Sequence, residues 1–167
     1  MATINVNRQG VGLGINNGNF NTARTNAASS VTDGITGESD VQYFATGRTK
    51  RFRRVFLHFD TSGITGTVTA AHIDVNGGAS PNGDPNDTIM VKSTAFGGDG
   101  GTALATSDHF GSLDYSTAYS NELTTWSQGN NEYVLTAAAL ADIKNNDDFT
   151  LAIIDHDNDY ANSATTG

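Results

Sequence analysis

The residues best suited to chemistry cluster at the end of the chain. "DHDNDY" at residues 155–160 sets Asp155, Asp157 and Asp159 at alternate positions. Alternating carboxylates are oxygen ligands of the kind that hold Ca²⁺. The stretch is not an EF-hand, because the sixth position is Tyr160 where glycine is required and the twelfth is Thr166 where glutamate is required. A calcium loop of another type, with Asp84 and Asp87 as further ligands, stands against a plain solubilising acidic loop, and the plain reading is favoured. A second concentration is cationic. Arg48, Lys50, Arg51, Arg53 and Arg54 are five of only nine Lys and Arg residues, in a chain of formal net charge −9. They suit an acidic partner or a solvated or internally paired strand end. Nucleic acid is the weakest reading, since the whole molecule repels phosphates.

Other motifs exclude more than they suggest. His58, His72, His109 and His156 form no His-x-x-x-His pair and no zinc-protease motif. His58 and His72 take the outward parity of their strands and read as surface or sheet-face residues. "GVGLG" spaces Gly10, Gly12 and Gly14 as G-x-G-x-G, but no strand-to-helix unit follows to make it a dinucleotide fingerprint. "GGDGG" lacks the Lys and hydroxyl residue of a phosphate loop, and no Gly-x-Ser-x-Gly elbow is present. Without cysteine there is no disulfide, thiolate metal site or thiol nucleophile. Tyr115, Tyr119 and Trp126 are the candidate stacking platforms for a sugar ring. The competing reading places them, with Phe110, in the core, and for Trp126 the core is preferred.

Short strands must position these groups. "RRVFLHFD" alternates Val55, Leu57 and Phe59 against Arg54, Phe56 and His58, a period of two. "VTAAHIDVNG" sets Ala71, Ile73 and Val75 against His72 and Asp74. "TIMVKSTAF", "EYVL" and "DFTLAIIDHD" complete the series, with Phe149, Leu151 and Ile153 sharing a face. "TAAALADIKNN" predicts a helix capped by Thr136 and ended near Asn145. Residues 1–40 are turn-rich and predict an extended arm, with a short strand in "ATINVNR". The 167 residues, 37% hydrophobic and only 16% charged, suit one turn-rich β domain. No apolar run predicts a secretion signal or a membrane span. The expected fold is all-β: an antiparallel two-sheet β-sandwich of jelly-roll type over residues 41–167, with one short helix and the amino-terminal arm.

The strand pair "RRVFLHFDTSGITGTVTAAHIDVNG" resembles the signature of DNRLRE, or disaggregatase-related, jelly-roll modules, which are similar to a group of carbohydrate-binding modules. The pattern falls on Arg54, Phe56, Leu57, Phe59, Asp60, Gly63, Thr69, Ala71, Ile73 and Val75. The texture from "TIMVKSTAFGGDGG" to "YVLTAAALADI" is similar to structural proteins of marine tailed bacteriophages. The resemblance implies a non-enzymatic virion structural protein, assembled in the bacterial cytoplasm. Its place would be as a capsid decoration, head fibre or tail component. Its partners would be its own copies in a homo-oligomer and other virion proteins, with no cofactor beyond the Ca²⁺ alternative. A carbohydrate-binding module, free or on a receptor-binding fibre, is the alternative. Such modules end in a closing strand, which the polar "ANSATTG" does not supply.

Overall fold

A computed structural model describes residues 3–17, 19–34, 41–46, 49–78 and 87–164. Strand β4, Thr49–Asp60, organises the molecule. On one side it pairs along ten positions with β1, Arg8–Asn17, and β1 pairs in turn with β2, Ser30–Asp33. On the other side two strands share it end to end. β3, Gln42–Thr46, takes residues 49–53, and β9, Asp148–Asp155, takes residues 55–60. β6, Thr88–Ser93, and β7, Leu113–Ala118, extend the sheet beyond β9. A second sheet joins β5, His72–Gly77, to β8, Gly129–Val134. Every pairing is antiparallel, and the chain is an all-β, two-sheet sandwich with its strands divided seven to two among the described residues.

Both faces of the larger sheet are covered. Val55, Leu57, Phe149, Leu151 and Ile153 fill the front with Met90, Tyr119 and Tyr133, against Ile73 and Val75 of the smaller sheet and Ile143 of α3, Ala137–Asn145. Thr136 accepts from the Ala139 amide and Asn146 follows as C-cap, so that helix forms where its caps predict it. The back holds Phe56, Ile89, Val91, Ala152 and Ile154 under Ala95, Phe96 and Leu104. Phe52 and Tyr43 pack there under Ala23 of α1, Phe20–Thr25. Fully burying one such aromatic or aliphatic side chain is worth about 1.5–3 kcal/mol.

Two expectations need correction. His58 is not on an outer surface: it is 1% exposed, because the back of β4 lies under the glycine loop after β6. There Gly100 (φ +72) comes so close that a Cβ would stand 2.5 Å from the imidazole. The predicted arm also differs. Arg8–Asn17 is the longest partner of β4, with Val11 and Leu13 on the front face. Gly10, Gly12 and Gly14 take the back parity, and a Cβ on any of them would lie within 2.8 Å of Leu104 or His109. The G-x-G-x-G spacing therefore makes a flat strip of backbone on which those side chains rest. The strand predicted in "ATINVNR" starts only at Arg8.

Candidate functional site

Even parity on β4 sends Arg54 to the back of the sheet, where it is 0% exposed. Three pieces converge on it: α1, the short helix α2 (Asp108–Gly111), and a single π-type turn, His156–Tyr160, after β9. Arg54 meets Asp159 as a fork, Nε to Oδ2 at 2.6 Å and Nη2 to Oδ1 at 2.8 Å. Its Nη2 also donates to the Arg24 carbonyl at 2.9 Å. Its Nη1 donates to the carbonyl oxygen and, at 2.8 Å, to the Nδ1 of His109. All five guanidinium hydrogens are thus used, which a lysine could not do. Burial opposes the charge on Arg54, but Asp159 outweighs it and the guanidinium pKa is raised.

The neighbours complete the centre. The Tyr115 hydroxyl donates to Asp159 Oδ1 at 2.7 Å; burial, then the Asp159 charge, pushes its pKa upward. Arg24 donates to the Asp159 carbonyl at 2.7 Å and lays its guanidinium 4.2 Å above the Tyr115 ring. Asp155 shapes the turn that presents Asp159: its Oδ1 accepts the amides of Asn158 at 2.7 Å and Asp159 at 3.3 Å. Burial raises the Asp155 pKa, and its Oδ2 has no hydrogen-bond partner among the described residues. Burial and the adjacent Arg54 lower His109 to about 4. The imidazole is then neutral, its Nδ1 accepting from Arg54 and its Nε2 donating to the Phe52 carbonyl at 3.2 Å. The sum is a buried charged cluster whose donors and acceptors hold five segments of chain together.

This centre redistributes the predicted site residues. Asp155, Asp157 and Asp159 do not converge as one ligand set. Both oxygens of Asp159 face Arg54, Asp155 caps the turn, and the Asp157 side chain is 62% exposed. Asp84 lies outside the described residues. The described groups whose ligand atoms do gather are His72 with Asp74 and Glu132, and Glu122 with His156 and Asp157, each within 4.8 Å. The basic run is likewise split. Arg54 faces inward and is removed from any partner surface, Lys50 takes the back parity, and Arg48 lies outside the described residues. Arg51 and Arg53 share the front face. Among the aromatics, Tyr119 is buried and stacks on Phe149 at 4.9 Å, while Tyr115 serves the charged centre. Trp126 is not core: it is half-buried, its edge against Gly77 and its Nε1 3.4 Å from the Gly78 carbonyl.

Sequence reasoning missed Arg24, His109 and the inward turn of Asp159. The available signal was the parity of Arg54, on the same side as Phe52 and Phe56, which marks a covered face. Comparison with known proteins finds no matching family model, curated protein or solved structure.

Among the described residues, one surface remains open. The larger sheet runs past the layer that covers its front. Across β1, β4 and β3, Ile15, Arg51 and Phe44 stand in one row, with Leu13, Arg53 and Gln42 in the next. Ile15 is 38% and Phe44 36% exposed, and the Arg51 guanidinium lies 5.6 Å from the Phe44 ring centre. This floor is apolar and cationic on a chain whose net charge is strongly negative.

Proposed function

We propose that this chain is a non-catalytic structural component of a bacteriophage virion, on the capsid exterior or in the tail, acting through contacts between proteins. The observation that supports it is the open floor of Ile15, Phe44 and Arg51. A flat sheet face carrying exposed apolar side chains and a cation suits burial against an acidic protein surface. The charged cluster at Arg54 fits the same reading, since its groups are engaged with one another. Antibody raised against the chain should label intact particles, and the chain should co-purify with the major capsid protein at a fixed ratio. Its absence from purified particles, or turnover of any glycan by the pure protein, overturns the proposal.

Trp126 favours a second reading, a carbohydrate-binding module. It is the one member of the predicted aromatic trio with its ring at the surface and outside the two buried clusters. Glycan-array binding that is lost in Trp126→Ala with folding intact would establish this reading; an empty array would dismiss it.

A further inference from the structure

The open floor has a counterpart on the same molecule. The outer face of the β5–β8 sheet carries Asp74 directly opposite Glu132, and His72 opposite Val134. Asp74 and Glu132 are exposed, and Val134 at 55% is the most exposed large hydrophobic side chain among the described residues. Like charges placed opposite one another weaken a sheet by themselves, and this face gathers them beside an uncovered valine. The face thus carries two carboxylates, Glu132 and Asp74, the latter engaged by His72 at 3.4 Å and Asn130 at 2.9 Å.

The two faces are matched in kind. One offers Ile15, Phe44 and Arg51; the other offers Val134, Asp74 and Glu132. They also look the same way. Arg51 and Arg53 share the parity of Val55 and Leu57, the side on which Ile73 and Val75 pack. The β5–β8 sheet is therefore a step standing on that side of the larger sheet, and the exposed row of Ile15, Arg51 and Phe44 is the floor beyond it. Stacked sheets lie about 10 Å apart, so a second copy turned by two-fold rotation fills both levels. Its step rests on the first copy's floor, and its floor receives the first copy's step.

We infer that the protein forms a two-fold dimer in which the acidic β5–β8 face of each copy lies on the Arg51 face of the other. The inference deepens the assembly reading and rests on it. The partner is a second copy because the surface charge that the floor needs is present on the chain itself. Pairing floor with floor would oppose Arg51 to Arg51, which costs affinity. Closed two-fold dimers satisfy self-complementary surfaces of this kind.

The test is the solution mass of the full chain by light scattering, up to about 1 mM. Wild type should have twice the monomer mass and dissociate as salt rises. Arg51→Glu should be monomeric, as should the double variant Asp74→Lys with Glu132→Lys. The decisive sample is a mixture of the two, where the exchanged charges meet and a heterodimer should reappear. All substituted positions are exposed; circular dichroism matching wild type secures folding, and Arg51→Ala, expected to weaken the dimer at least tenfold, serves where Arg51→Glu misfolds. A monomeric wild type overturns the inference, as does a dimer untouched by either set of substitutions. Loss of the dimer with EDTA also overturns it, because the acidic face would then hold a cation. A monomer that still labels particles removes only the dimer; one that does not label them removes the assembly reading as well.

Discussion

Arg54 cannot be exchanged for another cation without loss. A lysine would keep the charge but abandon at least the fork to Asp159 and the bond to the Arg24 carbonyl. Arg54→Ala leaves Asp159 buried beside only Arg24 and Tyr115, and breaking a buried pair in this way costs about 3–5 kcal/mol. Urea denaturation should show that loss, with Arg54→Lys intermediate; a variant as stable as wild type would mean that the cluster holds nothing together. His109 gives the centre a pH dependence of definite sign. The unfolded imidazole takes up a proton below about pH 6.5, whereas the folded one resists until about pH 4. Between those values the unfolded imidazole binds more protons, so the contribution of His109 to stability falls as acid is added, by up to about 1.4 kcal/mol per pH unit. Above that window the contribution is fully present. The slope should flatten in His109→Gln. Nitrogen NMR should find the Nε2–H tautomer of His109 intact at pH 5.5, and a protonated ring at that pH would contradict the arrangement.

At the scale of elements, the glycine strip on β1 decides how closely α2 can approach the sheet. A Cβ at Gly14 would stand 2.6 Å from His109 and 2.8 Å from the Ala23 carbonyl, with backbone on one side of the conflict. Gly14→Ala should therefore cost about 1–3 kcal/mol. Gly63→Ala, where nothing lies within 4 Å, should leave the melting temperature nearly unchanged. Equal effects at both positions would remove the strip's role. This strip also shows how far the sequence could be read. β4, β5, β6, β9 and α3 were legible because two-residue alternation and a threonine cap are local signals. β1 carries the same alternation in Val11, Leu13 and Ile15, but glycine on the other parity suggests turns. Its meaning depends on Leu104 and His109, far away in the chain. The charged centre was illegible for a related reason. Asp159 reads as one of three alternating acids until the turn capped by Asp155 swings it toward a strand 105 residues earlier.

For the whole molecule, the seven-to-two division of strands concentrates protection in the middle of the larger sheet. β4 and β9 have neighbours on both edges and packed side chains on both faces, whereas β2 and β7 are edge strands. Hydrogen exchange should be slowest at Val55–Leu57 and Leu151–Ile153 and faster in β2 and β7; uniform protection would argue against this layering. The tie between Arg54 and Asp159 has a further consequence during synthesis. At about 5–20 residues per second, the ribosome needs roughly 5–20 s to travel from the arginine to its counter-ion. Through that interval β4 has β1 and β3 in place but lacks both its central neighbour and the carboxylate that neutralises its buried cation. Nascent chains stalled before residue 148 should accordingly be cut readily by protease, and chains released after residue 160 should resist. Translation, in this protein, withholds the keystone until nearly everything it must lock has already been made.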